Sequence, residues 1–155
     1  MIYVFSLITI PVIIFLAIED LLERMIYSFP VLLLSATWAV YTGFIYKDNL
    51  PFLITAWVLA IALYAVFKIG HIWGDGDSDM WLLFVGIILS TFKMESVFEF
   101  LFTVCILLIM ALAEALLTGL IEALIKKRKL NKNLDIAVVP GFTSVIIGIL
   151  VYGIL

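Results

Sequence analysis

Side chains with reactive chemistry are scarce in this chain, and each scarce residue type narrows the possible functions. Only 14% of the 155 residues are charged, and there is one cysteine and one histidine. The single cysteine, Cys105, excludes an internal disulfide and a zinc site built from cysteines. The single histidine, His71, excludes a His-based metal site unless many carboxylates complete it. The sequence therefore predicts no metal and no cofactor.

Features of secreted and nucleic-acid-binding proteins are also missing. The N-terminus has no basic region and no A-x-A cleavage site, so we expect residues 1–18 to be retained as a membrane anchor. We find no internal repeat and no Gly/Ser-rich linker. The only basic run, Lys126-Lys127-Arg128-Lys129, is attributed to membrane topology. No nucleic-acid partner is therefore predicted.

Hydrophobic residues, in contrast, make up 66% of the chain, against roughly 45–50% in a soluble domain. This composition indicates an all-α, polytopic membrane protein whose main partner is the lipid bilayer. Residues 1–155 are expected to form a single domain with no sizeable soluble part. The apolar runs predict six transmembrane helices, at 2–18, 30–46, 51–70, 80–94, 97–122 and 136–154.

The basic residues fall mainly on one side of this arrangement. Only Lys47 and Lys93 lie at the second and fourth loops. The positive-inside rule then places the first, third and fifth loops in the cytoplasm and both termini outside the cell membrane. The residues at those three loops are Arg24, Lys68, Lys126, Lys127, Arg128, Lys129 and Lys132.

Two aspartates stand at the cytoplasmic edge of this predicted bundle. Asp20 ends the first span, and Asp77 closes the run Gly74-Asp75-Gly76-Asp77 before the fourth. Two neighbouring carboxylates tend to share one proton. The ionised one can take a proton from water, and the protonated one can polarise a peptide carbonyl and protonate the leaving amine. The pair predicts an aspartic endopeptidase, with the position of the shared proton left open.

Simpler roles compete for the same residues. Asp77 or Asp79 could cap the fourth helix, and Asp20 could pair with Arg24 one helical turn later. Gly74 and Gly76 lack a Cβ, which permits a tight backbone and close approach by an extended substrate. The alternation of three aspartates at 75, 77 and 79 also suggests a calcium loop, but Met80 and Gly86 occupy the positions where that loop needs glycine and glutamate. The EF-hand motif therefore fails, and a looser divalent-cation site at these aspartates stays open as an alternative.

These motifs resemble those of the prepilin and preflagellin peptidases, membrane aspartyl proteases of the GxGD type. In that family an aspartate ends the first helix and Ile-Pro follows six residues later; here Ile26 stands six residues after Asp20, with Arg24 at a common basic position. Asp77 matches the second aspartate, and Pro140-Gly141-Phe142 is similar to the entrance of the last span. The resemblance covers the whole chain in architecture and three short stretches in motif.

The chain departs from the family pattern at two positions: Tyr27 replaces the proline, and Asp79 stands where lysine is common. The cysteine-bearing methyltransferase region of the bifunctional bacterial enzymes is absent, as in the short archaeal form. The resemblance implies that the substrates are type IV pilin-like or archaellin precursors, cut after a short basic leader at the cytoplasmic face. A group of acidic side chains around the two aspartates, here called the acidic mouth, would attract such a basic leader. Its predicted members are Glu19, Glu23, Asp75 and Asp79.

Two other functions remain open on the sequence. A small cation- or proton-coupled carrier could bind its ion with Asp20, Asp77 and Glu114, because a carboxylate inside a span is costly and usually functional. A catalytically inactive assembly partner could bind pilin-like helices without cutting them.

Overall fold

A computed structural model describes residues 2–23, 26–71, 73–125 and 137–155 of the chain. These residues form six α-helices and, within the described ranges, no β-strand. The basic positions Arg24, Lys126, Lys127, Arg128, Lys129 and Lys132 lie outside the described residues. The helices are α1 (Ile2–Glu23), α2 (Ser28–Ile45), α3 (Leu50–Ile69), α4 (Asp75–Thr91), α5 (Val97–Ile125) and α6 (Val139–Ile154).

Local sequence explains several helix ends. Pro51 and Pro140 lie in the first turns of α3 and α6, where the missing proline N–H would have had no helical partner. At the other end of α3, His71 adopts a positive φ of 47°. A left-handed residue just after a helix commonly terminates it, and glycine is the usual choice. Here a histidine ends α3.

Two predicted boundaries were wrong by five residues, and both corrections move a candidate residue onto a helix. The fourth helix begins at Asp75, not at 80, so the predicted loop at 71–79 is shorter. Acidic side chains are favourable near the positive end of a helix dipole, which explains a start before the apolar run. The first helix continues to Glu23 instead of ending at 18. Asp20 and Asp77 therefore both have helical backbones.

Helix α4 occupies the centre of the bundle and packs against α2, α3, α5 and α6. Its apolar side chains at 83–85 and 87–89 are fully buried. Four helices, α1, α2, α3 and α5, are long and apolar enough to cross a membrane. Helices α4 and α6 have 17 and 16 residues, which gives each a length of about 25 Å. The structure therefore shows four of the six predicted spans by length.

Two tryptophans, Trp38 buried and Trp57 half-buried, connect neighbouring helices through hydrogen bonds. The Trp38 indole on α2 donates to Thr9 Oγ1 on α1 at 3.0 Å. Trp57 on α3 donates to Thr42 Oγ1 on α2 at 3.1 Å. Indole N–H groups need a partner when they are buried, so each bond fixes the rotation of one helix against the next.

Both chain termini lie at the same end of the bundle, because the Tyr3 hydroxyl donates to the Ile154 carbonyl at 3.1 Å. Helices α5 and α6 approach each other closely at Gly141, near the start of α6. A Cβ on Gly141 would overlap the Ala111 carbonyl and touch Ala115. Small residues allow this kind of close helix packing. It holds the start of α6 at the end of the bundle opposite the termini, where the candidate site lies.

Candidate active site

Asp20 lies in the last turn of α1 and is 5% exposed. Its Oδ2 accepts a hydrogen bond at 3.2 Å from the backbone N–H of Val139, the first residue of α6. The first N–H groups of a helix lack intrahelical acceptors, and the helix dipole favours a negative charge beside them. This contact joins α1 to α6 and favours the ionised form of Asp20.

Asp77 lies in the first turn of α4, before the apolar run that begins at Met80. Its Oδ1 is buried and has no hydrogen-bond partner among the described residues. Burial raises the pKa of Asp77 from its ordinary value of 3.8 to about 7. The charge of Asp20 also raises this pKa, and a hydrogen bond with the Gly74 backbone opposes the rise. The two carboxyl groups therefore lie close enough to interact, and Asp77 favours the protonated form.

A packing contact independently joins the two sequence motifs. A Cβ built on Gly76 would lie 2.5 Å from the Ile26 Cβ and 3.0 Å from its Cδ1. Only a residue without a side chain fits there. Gly76 was predicted to permit close approach by an extended substrate. In this structure the segment that approaches Gly76 is the chain's own entrance to α2.

Trp73 holds the short connection between α3 and α4. Its ring stacks on Phe67 of α3 with centroids 4.2 Å apart. It also meets Phe142 of α6 edge-on at 5.8 Å. Aromatic pairs in these geometries contribute about 0.5–1.5 kcal/mol beyond their buried area. The connection therefore rests against α6 three residues beyond the Val139 N–H that binds Asp20.

Asp79 requires a correction, because it does not belong to an acidic mouth and does not cap α4. Its side chain is fully buried, and α4 has no side-chain cap. Its Oδ1 accepts from Lys68 Nζ at 2.8 Å and from the Tyr64 hydroxyl at 2.9 Å. A buried carboxylate paired with a lysine presents no charge to a peptide in solvent. Asp79 instead joins α4 to α3.

The other predicted members of the acidic mouth are placed differently. Glu23 is exposed at the end of α1. Glu19 is half-buried, and its Oε2 is buried without a hydrogen-bond partner in the described ranges. Asp75 begins α4, and its side chain lies outside what the structure describes. Attraction of a basic leader by Glu19, Glu23 and Asp75 remains a prediction.

Glu114 is not part of the same constellation. It is exposed on α5 and lines a cleft of about 300 Å³ between α5 and α6, together with Ser144 and Gly148. Across the described ranges, no three His, Cys, Asp or Glu residues are grouped to hold a metal ion. No three-carboxylate ion site of the kind expected for the carrier is seen there.

No protein-family model, curated protein or solved structure matches this chain. Function is therefore inferred from the geometry of the site and from the motif resemblance.

Two partners of the candidate residues were not predicted from the sequence. Lys68 was assigned only to topology, and a lysine near the end of a span can reach the interface without an ion-pair partner. Its spacing of four residues from Tyr64 places both side chains on one helix face. The Val139 backbone donor carried no sequence signal, because which helix start meets Asp20 depends on tertiary packing.

Proposed function

We propose that this protein is a membrane aspartic endopeptidase in which Asp20 and Asp77 form the acid–base pair. The observation that carries the proposal is the convergence of these two carboxyl groups, from α1 and α4, at one end of the bundle. Asp20 lies close enough for its charge to raise the pKa of Asp77. Perturbed carboxyl pairs of this kind are typical of sites that run acid–base chemistry.

The surroundings of the two side chains suggest different roles. Asp20 receives the Val139 N–H at the start of a helix, which stabilises its negative charge, so it serves as the base that takes a proton from the attacking water. Asp77 has a buried oxygen without a donor among the described groups, so it holds the proton. It donates a hydrogen bond to the scissile carbonyl and then protonates the leaving amine.

The proposed substrates are type IV pilin-like or archaellin precursors. Support comes from the resemblance to prepilin and preflagellin peptidases, and from the fact that the residues carrying it are in contact. Ile26 belongs to the first motif and Gly76 to the second, and the Ile26 side chain packs against the Gly76 backbone. A precursor with a basic leader followed by an apolar helix would lie along the bundle. Its cleavage site would lie at the pair Asp20 and Asp77, here called the dyad.

The proposal includes six membrane spans, with both termini outside and the dyad at the cytoplasmic face. Six antiparallel helices bring the two termini to one side, in agreement with the bond from Tyr3 to Ile154. In this arrangement α4 and α6, which are short for a full crossing, begin at the membrane edge, so that Asp77 and the Val139 N–H lie there. Local thinning of the bilayer accommodates such short spans at modest cost, and water can then reach the carboxyl groups.

The test is cleavage of a synthetic precursor by the purified protein in liposomes. The precursor carries a lysine-rich leader followed by about 20 apolar residues, and the products are weighed by mass spectrometry. We expect a single cut near the leader junction with the wild-type protein and no cut with Asp20→Asn or Asp77→Asn. Full activity in either variant would overturn the assignment.

Glu114→Gln is the matched control, because Glu114 lies in a separate cleft. We expect this variant to cut the precursor as the wild type does. Ion flux through the liposomes that disappears in Glu114→Gln, without any proteolysis, would instead establish the carrier. Binding of the precursor without cleavage by the wild type would establish an inactive assembly partner.

A further inference from the structure

Lys68 has an unusual position among the charged residues of the bundle. Within the bounds of the six described helices it is the only Lys, Arg or His. It lies in the last turn of α3, at the same end of the bundle as Asp77. A flexible ammonium group at this place could neutralise the candidate dyad, yet its ion pair is with Asp79 at 2.8 Å.

The helix geometry separates this ion pair from the dyad. Residues two apart on an α-helix point about 200° apart around the axis. Asp77 and Asp79 therefore project from opposite sides of α4. Asp79 and the Tyr64 hydroxyl bind the Lys68 ammonium together, at 2.8 and 2.9 Å. Two acceptors thus hold the cation on the side of α4 that faces α3.

The lysine side chain has freedom to move if this hold is lost. Its side chain is 34% exposed, whereas Asp79 is fully buried. Loss of the Asp79 charge would leave the ammonium without its closest counter-ion. Other acidic groups at this end of the bundle would then compete for it.

We propose that Asp79 is a positioning residue that holds Lys68 on the α3 side of α4 and thereby keeps this cation away from Asp77. The inference rests on the proposed function, because it explains how the proton needed for catalysis stays on Asp77. An opposite charge within about 4–6 Å lowers a carboxyl pKa by roughly 1–3. A lysine that reached Asp77 would therefore remove the acid of the pair.

Within the described helices, few other charged side chains lie at this end of the bundle. Helices α2 and α6 contain no Asp, Glu, Lys, Arg or His. Helix α1 contributes Glu19, Asp20 and Glu23, and α5 contributes Glu122 in its last two turns. His71 follows the end of α3, in the connection to α4. All of these helical groups are acidic, so Lys68 is the helical side chain whose movement would lower the pKa of Asp77.

The test measures the protonation of Asp77 directly, in wild type, Asp79→Asn, Lys68→Met and the double variant. The readout is the infrared carboxylic-acid band that Asp77→Asn removes, followed against pH in liposomes. We expect Asp79→Asn to lower the titration midpoint of Asp77 by about one pH unit or more. Lys68→Met leaves that midpoint unchanged or raises it, and the double variant returns it to within a few tenths of a pH unit of wild type.

A purely structural ion pair predicts a different pattern. Loss of either partner would lower the stability of the protein. The titration midpoint of Asp77 would not depend on which charge was removed. A midpoint in Asp79→Asn that equals the wild-type value, or an equal lowering in Lys68→Met, would overturn the inference. The matched control is Asp79→Asn combined with Lys93→Met; Lys93 follows the opposite end of α4, and its removal should not restore the midpoint.

Cleavage of the precursor is measured in parallel, so that the two proposals can fail separately. Absence of cleavage by wild type, with the expected infrared shifts, would overturn the protease and keep the role of Asp79. Cleavage by wild type, with no shift in Asp79→Asn, would keep the protease and overturn the role of Asp79.

Discussion

The side chain of Ile26 occupies the space beside the Cα of Gly76, so that a Cβ on Gly76 would stand 2.5 Å from the Ile26 Cβ. The contact joins the entrance of α2 to the first turn of α4. Asp77 is the next residue on α4. Any side chain at position 76 must therefore displace either the entrance of α2 or the helix turn that carries Asp77.

Gly76→Ala is expected to reduce precursor cleavage by about 10²-fold, because a displacement near 1 Å at a reacting group can cost that much. The measurement is kcat/KM on the synthetic precursor. Gly43→Ala is the matched control: nothing lies within 4 Å of a Cβ at Gly43 in α2, and alanine favours a helix over glycine. Equal activity in the two variants would show that the contact with Ile26 does not position Asp77.

Asp20 has a structural contact and a proposed chemical role, and two substitutions separate them. Asn retains an oxygen that can accept the Val139 N–H, whereas Ala does not. We expect Asp20→Asn and Asp20→Ala both to lose the 10²–10⁴-fold contribution typical of a general base. Only Asp20→Ala should also lose about 0.5–2 kcal/mol of stability, the usual cost of a missing helix cap. Thermal unfolding in detergent measures the difference.

The raised pKa of Asp77 predicts how stability depends on pH. Between its ordinary pKa of 3.8 and about 7, the folded protein holds a proton on Asp77 that the unfolded chain has lost. The Asp77 contribution to stability therefore falls as pH rises through this window and is constant above it. One pKa unit corresponds to about 1.4 kcal/mol, so the loss at pH 8 is on the order of a few kcal/mol.

Asp77→Asn removes this penalty, and we expect it to raise the unfolding temperature at pH 8 and to change it little near pH 4. Activity should follow the same group: in the wild type, kcat/KM falls as pH rises through about 7, because the acid loses its proton. An unfolding temperature for Asp77→Asn that exceeds wild type equally at both pH values would contradict the raised pKa.

Gly141→Ala tests the close packing of α5 and α6. The added Cβ would overlap the Ala111 carbonyl, and a backbone atom cannot move aside as a flexible side chain can. Overpacking of this kind typically costs about 1–3 kcal/mol, measured as a lower unfolding temperature. Gly148→Ala on the same helix is the control, since nothing lies within 4 Å of its Cβ. Equal unfolding temperatures for the two variants would show that the helices separate at little cost.

Apolar composition and periodicity were sufficient to predict six helices in nearly their observed places, because a chain that meets lipid must satisfy its backbone within each segment. The errors occurred where polar residues join a helix. The acidic residues at 75–79 were predicted to lie in a loop. They form the first turns of α4, where a helix dipole favours negative charge.

Two aspartates that could carry the chemistry were identified from the sequence alone, one of them after Gly74 and Gly76. What each carboxylate meets depends on the tertiary packing. Asp20 reaches a helix start 119 residues away, and Asp79, two residues from Asp77, binds a lysine from α3. The physical reason is that the pKa and the partner of a carboxyl group depend on burial and on charges a few ångströms away. Sequence spacing fixes the helix face on which a side chain lies, but not what packs against that face.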